Sequence, residues 1–290
     1  MSFKLFTDSS ANLTDEIIEK YDIEIVSLTY LLDGKEYLGY EKGKKTDLKP
    51  LYEELRLRKP ASTSCINEDT FYKTFKPFVE KGEDILYVGF SSGLSNTYAM
   101  GEAALSKLKK EYPNANLLSV DTLAAAGGEG LLVLYAAEQR AAGKSIEEVR
   151  SWLEDNKLKL AHWFTVDDLF YLYRGGRVNK TSFIIGSLAQ IKPVLHVDNN
   201  GKLVGVAKVI GRKKALVQLV ENIAKNIVNP EEQTLYISHG DCIDDVNFAI
   251  SKLKEKIKFK NIVVNMLDPV IGVHSGPGTV AIFALANSRD

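Results

Sequence analysis

The sequence predicts an α/β protein of two domains, on three observations. Apolar, strand-like runs alternate with helix-periodic runs from the start of the chain to about residue 158. Beyond that point strand-like runs follow one another with fewer helices between them. The chain has 290 residues, enough for two cores. The first rhythm implies a mainly parallel sheet with helices on both faces over residues 1–158. The second implies an α+β domain over residues 159–290, with a six-stranded mixed or antiparallel sheet.

Taken in order, "KLFTDS" reads as a strand and "DEIIEKYD" as a helix. "IEIVSLTYLLDGKEYLG" reads as a strand, a turn at Asp33-Gly34 and a short strand. "TDLKPLYEELRLRK" is helical, capped by Thr46 or Asp47 and stopped by Pro60. A polar turn, "PASTSCIN", leads into the helix "NEDTFYKTFKPFVEKG", with Pro77 near its last turn. "DILYVGF" and "NANLLSVDT" are strands, each followed by a helical stretch, and "SIEEVRSWLEDNK" adds another helix. In the second half "LAHWFTV", "IKPVLHVD", "KLVGVAKVI", "TLYISHG", "NIVVNMLD" and "GTVAIFALA" are strands. Asn199-Asn200-Gly201 marks a hairpin, and helices fall at "DDLFYLYRGGR", "RKKALVQLVENIAKNIV" and "IDDVNFAISKLKEKIK". Two domains in contact leave a cleft, where ligands commonly bind.

Composition excludes several classes. Net charge is −1, so no global field draws the chain to nucleic acid or an acidic membrane. Its two cysteines, Cys65 and Cys242, cannot make a disulfide framework or a cysteine zinc cluster, and they suit a reducing cytoplasm. The start "MSFKLFTDSS" lacks the apolar region of a signal peptide, and no apolar run reaches membrane-spanning length. No two of the four histidines have metal-ligand spacing on one helix face, so neither metal nor cofactor is expected.

Polar clusters remain, each with two readings. "GFSSGLSNTY" places Ser91, Ser92, Ser95 and Asn96 where a strand gives way to a helix. A hydrolase elbow needs a glycine where Thr97 stands, so the serines cap the helix or bind an anion. Thr63 and Ser64 sit in the second hydroxyl-rich turn, where they either cap or meet a ligand, and the absence of a sequence-local base argues against Cys65 as a nucleophile. In "GVHSGPGTVAIF", His274 and Ser275 occupy a glycine-proline turn that admits close approach. In "LYRGGRVNK" and "GRKKA", Arg174, Arg177 and Arg212 either hold an anionic partner or complement helix ends.

Together, "TDSSANL", "STSCIN", "SSGLSNTY", "SVDT", "DDLFYLYRGGRV", "IKPVL…GKL" and "HSGPGTVAIF" resemble the DegV family of bacterial fatty-acid-binding proteins. These segments span residues 5–283, and their order and spacing carry the resemblance more than any one alone. The resemblance implies a long-chain fatty acid buried between two α/β domains. It implies a non-catalytic, cytoplasmic subunit that presents the carboxylate to a fatty-acid kinase for conversion to acyl phosphate. It assigns the carboxylate to Thr63, Ser95 and His274, with Ser64, Asn96 and Ser275 as further head-group contacts. Phe164, Ile184, Ile185 and Leu188 are candidates for the acyl tunnel, though core packing is the commoner use of any one such residue. Arg174, Arg177 and Arg212 become candidates for kinase docking. Neither nucleic acid nor stable membrane insertion is expected, while transient membrane contact fits a lipid carrier. Two other readings stand beside this one: an esterase or thioesterase using Ser95 and His274, and a carrier of another apolar acid.

Overall fold

The computed structural model describes residues 3–179 and 190–289. Strands β1 (Lys4–Asp8), β2 (Ile23–Val26), β6 (Ile85–Gly89) and β7 (Leu117–Asp121) form a parallel sheet in the order β2-β1-β6-β7. Side chains on successive strand residues point to opposite faces. Phe6, Ile85 and Tyr87 therefore join Phe71 and Phe75 of α3 (Glu68–Val79) and Leu105 of α4 (Thr97–Glu111) on one face. Leu5, Leu86 and Val88 pack with α5 (Gly127–Ala141) and α6 (Ile146–Asn156) on the other. Both faces are thus covered by helices, as the alternating rhythm implied.

A second sheet holds β8 (Leu160–Thr165), β9 (Ile191–Val197), β10 (Leu203–Ile210), β11 (Thr234–His239), β12 (Asn261–Met266) and β13 (Val280–Leu285). Its order is β10-β9-β8-β13-β11-β12, antiparallel throughout except for the β11–β12 pair. All six strands are those expected from the second half. The turn around Gly201 joins β9 to β10 in the left-handed conformation that glycine favours. Ala161, Val194, Ile237 and Ile282 face the helices α8 (Arg212–Asn226) and α9 (Ile243–Lys254). On the opposite face Phe164, Tyr236 and Phe283 merge with the core around α5. That helix therefore lies between the two sheets. Its glycines make this possible: a β-carbon at Gly127 would collide with Tyr236 and Ser238, and one at Gly130 with the carbonyl of Ala11.

Four local expectations need correction. The apolar run after residue 22 is not one strand, because the chain leaves the parallel sheet at Ser27-Leu28, where Ser9 Oγ accepts from the Leu28 amide at 3.0 Å. It resumes as β3 (Thr29–Leu32), which pairs with β4 (Lys35–Leu38) across the expected Asp33-Gly34 turn. The polar turn before α3 is instead a strand, β5 (Ala61–Ser64), on the other edge of β3. The helix expected to be capped by Thr46 or Asp47 begins later, as α2 (Lys49–Arg56), with Asp47 Oδ1 accepting from the Lys49 amide. Finally, His274 and Ser275 do not lie in a turn. They end a short helix, α10 (Pro269–Ser275), capped by Asp268. Asp before Pro is the sequence signal for such a start. Helices α1 (Asp15–Tyr21) and α7 (Phe170–Arg174) complete the frame.

Candidate functional site

The loop between β6 and α4 carries the serines out of the carboxyl edge of the parallel sheet, the usual position for a ligand in such sheets. Ser91 is buried and donates to the Gly201 carbonyl at 2.8 Å, joining this loop to the β9–β10 hairpin. Gly93 packs so closely on that hairpin that a β-carbon would collide with the Asn200 carbonyl. Ser95 Oγ accepts from the Thr97 amide at 3.2 Å and lies 2.9 Å from Thr97 Oγ1. From one residue ahead of the N-cap Asn96 it satisfies the first amide of α4, and it also borders a cavity, so a role at the helix start and a role at a ligand site coexist.

β5 presents Thr63 inward and Ser64 outward, by strand alternation. Thr63 Oγ1 lies 2.7 Å from Nε2 of His274 in the last turn of α10. Burial, together with the nearby guanidinium groups of Arg177 and Arg174, pushes the His274 pKa down to about 3, so the ring is neutral. Its Nδ1 is buried without a hydrogen-bond partner. A neutral imidazole carries a single proton, and an unpaired buried N–H costs more than an unpaired acceptor. The proton therefore belongs on Nε2, donated to Thr63 Oγ1. That leaves the threonine hydroxyl free to donate elsewhere.

The arginines of the "RGGR" turn hold these segments together. Arg174 donates to the carbonyls of Lys59, at 3.1 Å, and Val273, at 3.2 Å, and so joins the approach to β5 to the end of α10. Arg177 donates to the Leu94 carbonyl at 3.2 Å and also to the Gly175 carbonyl. Arg212 instead pairs with Asp245 at 2.8 Å and bonds the Gly278 carbonyl, away from these segments.

These pieces surround one cavity of about 530 Å3. Thr63, Ser95, His274 and Arg177 line it, with Asn96 and Ser275 beside them, whereas Ser64 and Arg212 do not. The Ser275 hydroxyl is already committed to the Ile271 carbonyl at 3.0 Å. Phe164 lines the wall together with Leu172, Leu203, Leu267 and Val270. Ile184, Ile185 and Leu188 lie outside the described residues. Sequence reading missed Cys65 as a wall residue and His162, which shares the Phe164 face of β8. The period-two alternation of "LAHWFT" was the available signal for His162. No hydrogen bond joins Ser95 to His274, since the serine bonds Thr97 and the imidazole bonds Thr63. Among the described residues no helix is long and apolar enough to cross a membrane.

Fold and site define an α/β protein with a four-stranded parallel sheet, a six-stranded mixed sheet and a small β4-β3-β5 sheet, and a largely apolar cavity bordered by Thr63, Ser95, His274 and Arg177. The profile of the family "Uncharacterised protein, DegV family" matches residues 2–287, and the chain belongs to that family. A DegV domain-containing protein of Clostridium perfringens is 43% identical over 288 residues, covering 99% of each chain. Among solved structures, a DegV lipid-binding protein from Thermotoga maritima matches with a TM-score of 0.85 and 29% identity, covering 100% of both chains. A DegV family protein from Thermus thermophilus with fatty-acid binding matches with a TM-score of 0.86 and 26% identity, covering 99% of this chain and 100% of the other.

Proposed function

We propose that this chain binds a long-chain fatty acid in the cavity and presents its carboxylate to a fatty-acid kinase for conversion to acyl phosphate. The observation that carries the reading is convergence: Thr63, Ser95 and His274, from three distant segments, border one cavity whose other walls are largely apolar. Similarity to the lipid-binding protein of Thermotoga maritima and the fatty-acid-binding protein of Thermus thermophilus supports the ligand class. In this reading residues 1–158 supply Thr63 and Ser95, residues 159–290 supply His274, and the acid lies between the two domains.

The chemistry follows from the protonation pattern. His274 Nε2–H orients Thr63, whose hydroxyl donates to one carboxylate oxygen, and the Ser95 hydroxyl donates to the carboxylate as well. Arg177 supplies positive charge at the same end, so it serves the bound anion before it serves a docking kinase. Each hydrogen bond to a charged group contributes about 1.5–3 kcal/mol. The chain contributes about 0.8 kcal/mol per buried methylene, so affinity lies mainly in the tail and orientation in the head. The bonding of Ser95 to Thr97 and of His274 to Thr63 favours holding a carboxylate over attacking an ester.

Mass spectrometry of the organic extract of protein purified from a bacterial host tests the reading. A near-stoichiometric acyl chain is expected. Absence of any acyl chain, with no binding of added palmitate or oleate, would overturn it. Transfer of phosphate to the bound acid by a cognate kinase tests the second half of the proposal.

A further inference from the structure

Ser91 fixes the loop that carries Ser95. The residue is fully buried, and each of its polar atoms is used. Its carbonyl accepts from the amides of Leu94 and Ser95, both at 3.1 Å, which folds the stretch from Ser92 to Asn96 into the turn that lines the cavity. Two bonds anchor it from outside: its amide donates to the Ala124 carbonyl at 3.0 Å, and its hydroxyl to the Gly201 carbonyl. Those acceptors sit on two separate segments, the β7–α5 loop and the β9–β10 hairpin. One side chain joins the two segments. Arg289, only 1% exposed, donates from Nη1 to the Leu123 carbonyl on the first and to the Asp198 carbonyl on the second, the latter at 3.1 Å. Its Nη2 donates to the carbonyl of Lys157, at the end of α6, at 2.5 Å, and to that of Thr122 at 3.5 Å. The Asp198 carbonyl also accepts from the Gly201 amide at 2.9 Å. Leu123 has a left-handed backbone, φ 50°, which a leucine adopts only where its surroundings impose it. Burying a guanidinium costs desolvation that an apolar side chain filling the same space avoids. What the planar fork adds is a fixed spacing among the carbonyls of several loops.

We propose that Arg289 is a positioning residue for the carboxylate site: by holding the Ala124 and Gly201 carbonyls at the spacing Ser91 needs, it sets where Ser95 presents its hydroxyl. The inference rests on the fatty-acid reading above and adds to it a residue that does not line the cavity. Its effect falls on the head group and spares the tail, because the apolar wall of Phe164, Leu172, Leu267 and Val270 is built without it.

Stearate and 1-octadecanol share a tail and differ at the head, so the ratio of their affinities for delipidated protein isolates the carboxylate site. Calorimetry gives this ratio for the wild type, Arg289→Met, Arg289→Lys, Ser91→Ala and the Arg289→Met/Ser91→Ala double variant. The wild type is expected to favour stearate. Arg289→Met should lower that preference about ten-fold, the worth of one hydrogen bond to a charged group, with octadecanol affinity held within about two-fold. Arg289→Lys should recover part of the preference, since an ammonium still donates to carbonyls but without the planar fork. Ser91→Ala should show the same selective loss, and adding it to Arg289→Met should lower the preference little further, because both act through one linkage. A merely structural role would lower both affinities together with the urea midpoint and leave their ratio unchanged. That result overturns the inference and leaves the fatty-acid reading standing, as do additive losses in the double variant. Should Arg289→Met not fold, Arg289→Lys and Ser91→Ala carry the same test, and a wild-type ratio in both overturns the inference. A wild type that binds octadecanol as tightly as stearate, or binds neither, overturns the carboxylate reading itself and this inference with it.

Discussion

Thr63 Oγ1 and His274 Nε2 meet at 2.7 Å across 211 positions of sequence, the contact that ties β5 to the end of α10. Arg174 braces the same junction from behind through the carbonyls of Lys59 and Val273. His274 is thus a positioning group for Thr63 in its neutral form. Thr63→Val keeps the branched shape and removes the hydroxyl, and it should weaken fatty-acid binding by about 1–3 kcal/mol. His274→Gln, which can still donate to Thr63, should lose less than His274→Ala. Calorimetric affinities on delipidated protein check this ordering; equal losses for Gln and Ala would refute the donor role of the ring.

Ser95 has two duties, one toward the Thr97 amide and one toward the cavity. Ser95→Ala should therefore cost about 1 kcal/mol of stability through the lost bond to the first amide of α4, seen as a lower urea midpoint. It should also cost about 1–3 kcal/mol of affinity, with much binding surviving through the tail. Kinase-coupled turnover should fall further than affinity, because a loosely held carboxylate is poorly aligned for transfer. Turnover at the wild-type level with intact folding would place the head group elsewhere.

Arg177 lies close enough to His274 to lower its pKa, and it also ties the glycine turn to the serine loop at Leu94. Arg177→Met should raise the His274 pKa above its present value of about 3, measurable by imidazole NMR titration of the apo protein. It should also weaken fatty-acid binding. Arg177→Lys should restore the charge effect on His274 but only part of the bracing, since an ammonium cannot reproduce the planar fork. An unchanged His274 titration in Arg177→Met would remove the electrostatic link.

Much of the fold was legible because it rests on local signals. Asp33-Gly34 and Asn199-Asn200-Gly201 announce their hairpins by residue type, and the six strands of the second sheet are bounded apolar runs. β5 was not legible: "ASTS" has no apolar alternation, and its strand conformation comes from the β3 ladder it joins. α10 has seven residues, too few for a helical period to emerge from an apolar stretch. Thr63, Ser95 and His274 could be named from the family resemblance. Their meeting point depends on α5 spacing the two sheets, which no single segment encodes. Arg174 and Arg177 read as external cations because sequence cannot show that their guanidinium groups turn inward to carbonyl oxygens.

Gly93 links the serine loop to the β9–β10 hairpin without room for a side chain. Gly93→Ala must push the Asn200 carbonyl away and strain the Ser91–Gly201 hydrogen bond. A loss of about 1–3 kcal/mol of stability is expected, typical of overpacking. Binding should weaken as well, since the loop carries Ser95. Chemical denaturation and calorimetry give the two numbers; a stable variant with weak binding would show that the loop shifts without unfolding.

Asp268 offers the clearest pH test. Its Oδ1 caps α10 through the amides of Val270 and Ile271, at 2.9 and 3.1 Å, while its buried Oδ2 has no partner. Burial, with the nearby Asp8 carboxyl, raises its pKa from an ordinary 3.8 to about 7. Between those values the folded chain holds a proton that the unfolded chain releases, so this group's contribution falls as pH rises through the window, by on the order of 1.4 kcal/mol per pH unit at most. Asp8 and Glu129, also raised by burial, act in the same direction. His274 acts oppositely: its folded pKa is depressed from 6.5 to about 3, so its contribution is present above 6.5 and lost as pH falls toward 3. The wild-type profile therefore mixes opposing slopes, and a variant is needed to separate them. Asp268→Asn keeps an oxygen for the cap and removes the titration. The stability of Asp268→Asn minus that of wild type should climb as pH rises from about 4 to 7 and level off outside that range. Urea denaturation at four or five pH values measures the difference, and a flat difference across the window would show that Asp268 titrates normally in the folded protein.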